Sequence, residues 1–226
     1  MNAPFPLCLH CFTEFMHGFG LVDLYDQDTT DPYVGIAGIG SYDIMCNAYG
    51  WTNDGAYPPY VSPYSKVEAG WLQPINISKP GYYTLQPSEL SSQIYIIQAN
   101  YPQGEYLLLE NRYGLLWDQK FSGKGIVIYH IDEAAPLQQH RGYPGHPDWP
   151  AWHYRVAVQQ ADGLYDIEKG VNLGDAGDFY VQGSVLGPDP NTWPNTDSYQ
   201  NGQVATGITI SITTAASYIM QIHVTW

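Results

Sequence analysis

Basic side chains are scarce in this chain: 8 Lys and Arg stand against 22 Asp and Glu, for a formal net charge of -14. Phosphate backbones are held by clustered Lys and Arg, so this balance argues against nucleic acid and anionic membrane surfaces as partners. Cysteine is scarce as well. The 3 cysteines are an odd number and make no disulfide framework. Cys8 and Cys11 have CxxC spacing, but a zinc site of that kind needs a second pair and the sequence has none. Long apolar runs are missing too. No stretch reaches the ~18 residues of a membrane-spanning helix, so no transmembrane segment is expected. The opening residues lack a basic n-region, and His10, Glu14 and His17 interrupt their apolar stretch, which does not fit a signal peptide.

Glycine and proline are abundant instead, with 23 and 17 residues, and 20 residues are Tyr. Such a density of turn formers disfavours long helices and favours short strands. The 44% hydrophobic content suits a globular chain, and 226 residues allow one large domain or two small ones. A short helix is predicted near Cys8–Gly20, where Leu9, Phe12, Phe15, Met16 and Phe19 recur at helical spacing and Gly18 and Gly20 supply a stop. A tight turn is expected at Tyr42–Met45. A second short helix is expected over Ser62–Trp71, with Ser62 as N-cap and Pro63 at its first position. From Pro74 onward the pattern becomes strands: Tyr82–Leu85, Gln93–Gln98, Glu105–Arg112, Gly125–Ile131, Arg155–Gln160, Gly207–Thr213 and Tyr218–Val224. The stretches Ala134–His153 and Gly183–Gln203 read as long loops.

The segment from Thr13 to Asp26 carries the most chemistry. Zincins place two His four residues apart on a helix, so both imidazoles leave one face, and a Glu after the first His is the general base for a zinc-bound water. A Gly then ends the helix and lets the chain return with a third ligand. Glu14 stands at the base position, His17 at the second ligand, Gly20 at the helix stop and Asp23 at the third ligand. The first ligand position holds Thr13, a short neutral side chain that binds zinc poorly. His10 lies on the same face as His17 but about 10 Å along the axis, too far for one ion in a continuous helix. Met45, after a glycine-rich approach, is placed to form the apolar floor that a Met-turn provides.

These residues resemble the immune inhibitor A-like family of metzincin-type zinc peptidases, whose motif is similar to H-E-F-G-H-x-x-G-L-P-D-L-Y-D. The run Leu21 to Asp26 follows its second half. Further likenesses occur at 64–71, 106–112, 125–133, 161–163 and 174–178. The resemblance implies an α+β, predominantly β fold. Residues 1–73 would be a truncated zincin-like lobe with a short active-site helix and Met-turn, and residues 74–226 a β-rich, sandwich-like region packed against it. It implies a secreted, zinc-dependent metalloendopeptidase acting on protein or peptide. Two departures weaken the activity: Thr13 replaces the first zinc His, and the family's N-terminal lobe has no counterpart ahead of Glu14. The residues up to Thr13 are open to two readings, an evolved loss of the ligand or unrelated sequence joined ahead of Glu14. A non-catalytic β-rich binding or structural module derived from a protease is the alternative function.

Other residues have a chemical and a structural reading each. Tyr42 and Tyr49 could stabilise an oxyanion near the metal, or simply pack. His140, His146 and His153 share one loop but match no ligand spacing. His130 reads as a hydrogen-bonded residue near a strand end. Asp162, Asp166, Asp175 and Asp178 could supply oxygen ligands to calcium, which takes six to eight, or could be ordinary surface acids. Asn76 with Ser78 fits an N-glycosylation acceptor.

Overall fold

The computed structural model describes residues 7–30, 37–52, 55–189, 191–200 and 204–226, and the side chains of residues 7–11 fall outside that description. The CxxC pair Cys8 and Cys11 and the spare ligand His10 therefore lie outside the described side chains. Helix α1 spans Leu7–His17 and helix α2 spans Pro63–Glu68. The expected cap of α2 is present: Ser62 is in extended conformation and its hydroxyl accepts a bond from Ser65 N. Trp71 lies beyond α2, which ends at Glu68 and turns through Gly70 at φ +69°.

Among the described residues, nine strands form two sheets. Sheet A contains β1 (Ile75–Asn76), β3 (Tyr95–Ile97), β4 (Glu105–Arg112), β5 (Gly125–Asp132) and β6 (Val156–Val158), in the order β1-β3-β4-β5-β6. Only β1 and β3 run parallel. Sheet B is antiparallel, in the order β2-β9-β8-β7, with β2 at Gly81–Leu85, β7 at Val185–Leu186, β8 at Thr209–Ile212 and β9 at Met220–Thr225. The seven predicted strands are all present, β4 with the same ends. The sequence reading missed β1 and β7, each two residues long.

Sheet A is the middle layer. Leu107, Leu109, Ile126 and Ile128 share one apolar cluster with Ile210, Ile222 and Val224 of sheet B. The alternate residues Tyr106, Leu108, Val127 and Tyr129 join a second cluster with Met16, Leu24, Met45 and Tyr64. Every residue of β4 and β5 is buried, because each face has a partner layer. This explains the unbroken apolar stretches Tyr106–Leu109 and Ile126–Tyr129 in place of an alternation. The described residues before residue 74 therefore share a core with sheet A.

A buried cation fastens the first layer to the middle one. Arg112 is fully buried at the end of β4 and donates from Nη1 to Tyr42 O at 2.7 Å and from Nη2 to Tyr60 O at 3.3 Å. Its Nε donates to Asp118 Oδ2 at 3.1 Å, and its guanidinium lies 4.5 Å from the Phe121 ring centre. Both carbonyls belong to the segments that lead into the Met45 turn and α2, so one guanidinium sets the height of each above the sheet.

Candidate metal centre

Thr13, Glu14 and His17 face one side of α1 and line a cavity of about 260 Å³ together with Asp23, Met45 and Tyr49. The helix stops as the glycines require. Gly18, Phe19 and Gly20 each donate a backbone bond three residues back, and Gly20 takes φ +86°. The chain then returns beneath His17. Leu24 N donates to Met45 O at 3.0 Å, and Ile39 N donates to Leu24 O at 3.2 Å, so main chain alone stitches the return to the Met45 turn. Met45 is buried under this junction.

Asp43 fixes that turn. It is fully buried, and its Oδ1 accepts from Met45 N at 2.7 Å. Its Oδ2 accepts from Ser62 N at 2.8 Å and from Ser65 Oγ at 2.7 Å, which ties the turn to the start of α2. Each bond is charge-assisted, which offsets the burial of the carboxylate. Sequence reasoning did not single out Asp43, because nothing in its spacing separates a bracket from an ordinary turn acid.

The two motif ligands meet. His17 Nδ1 lies 2.7 Å from Leu21 O, and a carbonyl only accepts, so Nδ1 carries the hydrogen of that bond. Nε2 points at Asp23 Oδ1, 3.3 Å away. Tyr25 donates its hydroxyl to the other oxygen, Asp23 Oδ2, at 2.9 Å. Burial raises the Tyr25 pKa, and the Asp23 carboxylate raises it further, so Tyr25 remains a donor. Neighbouring ligand atoms on a tetrahedral zinc, each ~2.0–2.1 Å from the metal, are about 3.4 Å apart. The His17–Asp23 spacing is thus that of one tetrahedral edge, with both outer-shell partners in place.

The edge is not completed. Among the described residues no other His, Cys, Asp or Glu joins this pair within 4.8 Å, and Thr13 stands where the motif needs an imidazole. Two strong donors fall short of the three protein ligands of a catalytic zinc. The described residues therefore do not make a complete zinc centre. Cys46 also lines the cavity, but its Sγ donates to Ala37 O at 3.3 Å, and burial pushes the thiol pKa far up.

Tyr42 takes no part here. It is fully buried and donates to Asp178 Oδ2 at 2.9 Å, whereas Tyr49 is 52% exposed on the cavity rim. The loop histidines do not converge. His153 Nε2 lies 3.0 Å from Asp132 Oδ2, His140 lies against Trp152, and His146 takes a bond from Asp148 N. His130 is buried with Nε2 2.7 Å from Glu105 Oε1, and burial is the main cause lowering its pKa.

A second group of ligand atoms lies elsewhere. Carboxylate oxygens of Asp162, Asp175 and Asp178 all fall within 4.8 Å of one another. Asp175 caps the short 3-10 turn Ala176–Asp178 by accepting from Gly177 N, and its own N donates to Asp178 Oδ2 at 2.7 Å. Burial, then the neighbouring Asp175 and Asp162, push the Asp178 pKa up to about 7. Asp166 is not one of the group; its backbone N donates to Gln160 Oε1 instead. Asn76 and Ser78 are exposed on and beside the edge strand β1.

Comparison of the chain with protein-family models, with curated proteins and with solved structures finds no match.

Proposed function

We propose that this chain derives from a secreted zinc metalloendopeptidase of the immune inhibitor A type and keeps an impaired form of its metal centre. The observation that carries this reading is the pair His17 Nε2 and Asp23 Oδ1, set 3.3 Å apart across a helix stop and above Met45, with Glu14 on the same cavity. Helix, glycine stop, returning acid and buried methionine are separate sequence elements, and their convergence supports the motif reading over chance. Glu14 is exposed and lines the same cavity without forming a three-ligand group with His17 and Asp23, which suits a proton acceptor rather than a ligand. Zinc is the group the pair would hold, with His17 and Asp23 as two ligands. A peptide is the substrate class the family implies. Calcium is the cation suited to the oxygen-only trio of Asp162, Asp175 and Asp178.

With Thr13 in the first ligand position, the chain binds zinc weakly and cleaves protein poorly or not at all. The competing reading, a non-catalytic β-rich module, is favoured by the same Thr13. Metal analysis and casein cleavage on the purified chain and on Thr13→His separate the two. Stoichiometric zinc and chelator-sensitive cleavage in Thr13→His, absent from the parent, support a protease with a lost ligand. No zinc uptake by Thr13→His would remove the protease reading. Among the described residues no helix is long and apolar enough to cross a membrane.

A further inference from the structure

Beside the loop that carries the three histidines is a small cavity of about 10 Å³, lined among others by Trp149, Gln159, Tyr165, Glu168 and Tyr199. Three buried polar atoms on this lining have no hydrogen-bond partner among the described residues: Trp149 Nε1, Gln159 Oε1 and the Tyr165 hydroxyl. The side chains of Gln159 and Tyr165 are themselves almost wholly buried, at 1% and 4% exposure. Buried polar groups in folded proteins are nearly always paired, so three on one cavity wall mark a site with an occupant.

We infer that this cavity binds a single water molecule. The chemistry of the three atoms selects it. The indole Nε1–H is a donor only, the amide Oε1 an acceptor only, and the phenol can serve as either. A water accepts from Trp149, donates to Gln159 and pairs with Tyr165. A metal cation would face the indole hydrogen with its positive charge, and an anion would face the amide oxygen, so neither satisfies all three. The size agrees, since ~10–15 Å³ is the space one water centre needs, and three partners are typical of a buried water.

The rest of the wall is already committed, which leaves this role to the three named atoms. Gln159 Nε2 donates to Tyr199 Oη at 2.7 Å, which leaves Oε1 as the end without a partner among the described residues. Glu168 Oε2 accepts from Gln160 Nε2 at 2.5 Å. The Tyr165 ring stacks on Tyr143 at 5.7 Å, and the Trp149 ring meets Tyr199 edge-on at 5.5 Å. The water therefore joins three separate segments: the loop at Trp149, the residue just after β6 and the turn at Tyr165. Tyr199 and His153 line both this cavity and a broad cleft of about 760 Å³, so the water stiffens the back wall of that cleft.

A crystal structure at about 1.5 Å tests the inference. One water-sized peak is expected at ~2.7–3.2 Å from Trp149 Nε1, Gln159 Oε1 and Tyr165 Oη. A dry cavity, direct pairing of the three side chains, or an ion would overturn it. In solution, the Trp149 indole proton, identified by its loss in Trp149→Phe, should give a cross-peak to water with the sign of a long-lived site. Its absence counts against the water. Tyr165→Phe keeps the stacked ring and should at least halve the peak's occupancy; unchanged occupancy would show that the phenol is not a partner.

Discussion

The cavity beneath α1 and the acidic trio around the Ala176–Asp178 turn both gather metal-ligand atoms, but they do so in opposite ways. The first draws two side chains from a helix and the segment returning from it, each about a third exposed, at 34% and 30%. Their spacing suits a tetrahedral metal, but the number of ligands is too small. The second has three carboxylates together, held by a capped turn, with Asp178 buried. There more ligand groups meet, still short of the six to eight oxygens calcium takes, and they bring like charges together. On the proposed reading the motif has lost a ligand and kept its shape, since main-chain bonds such as Leu24 to Met45 carry the shape. Like charges packed together instead need a proton or a cation to be tolerated.

The largest effect that sharpens this contrast is expected at Thr13. A four-ligand structural zinc binds with ~10–16 kcal/mol, so one restored ligand is worth about 3 kcal/mol, or about 100-fold in affinity. Thr13→His should raise zinc affinity by at least that factor in competition with a chelator of known strength, and leave calcium binding unchanged. No gain would mean that the His17–Asp23 edge is not a metal edge.

Calcium should act on the other site alone. At about 100 times its dissociation constant, a cation bound only by the folded chain adds about 2.7 kcal/mol. For a chain of this length that is roughly 5–10 °C in melting temperature. The gain should be larger at pH 8 than at pH 5, because Asp178, with its pKa near 7, must first lose its proton. Equal melting curves with and without calcium at pH 8 would remove calcium from the trio.

The same carboxyl sets a smaller, metal-free prediction. Its folded pKa is raised, so between about pH 4 and pH 7 the folded state holds a proton that the unfolded chain has released. Stability contributed by that proton is present at low pH and lost as pH rises through 7. Glu168, near 8, and Asp118, near 6, act in the same direction. Asp178→Asn cannot ionise and can still accept from Tyr42. Relative to the parent it should gain about 2–3 kcal/mol more at pH 8 without calcium than at pH 5, measured by urea titration. A loss of stability at both pH values would show that the carboxyl's hydrogen bonds outweigh its charge.

Much of this was legible in advance, for physical reasons particular to each element. β4 and β5 were readable because residues with two buried faces make long apolar runs. α2 was readable because Ser62 and Pro63 announce its start. β1 and β7 were not, since two residues carry no periodicity. The His17–Asp23 meeting was readable because helix geometry and a glycine stop act locally. The trio was only half readable. Asp162 joins Asp175 and Asp178 across a turn, while Asp166, equally close in sequence, does not. The bond from Tyr42 to Asp178, which links the approach of the Met45 turn to the acidic trio, spans 136 residues and leaves no local trace. Arg112 is similar: its buried bonds to Tyr42 and Tyr60 depend on which layer covers β4.

The smallest effect separates the shape of the first site from its ligand number. Tyr25 holds Asp23 Oδ2, so Oδ1 alone is left to face His17. Partners of metal ligands commonly contribute about 10–100-fold in metal affinity, and a phenol on a half-exposed carboxylate belongs at the lower end. In the Thr13→His background, Tyr25→Phe should weaken zinc about 10-fold while leaving the fold intact, since only one hydroxyl is removed. Asp23→Asn in that background should weaken zinc further, because it alters the ligand itself. If Tyr25→Phe changes nothing and Asp23→Asn still does, the carboxylate is held by its backbone and Tyr25 only packs. If both change nothing, the segment returning from α1 has no part in metal binding, and the cavity beneath α1 retains only the outline of a metal site.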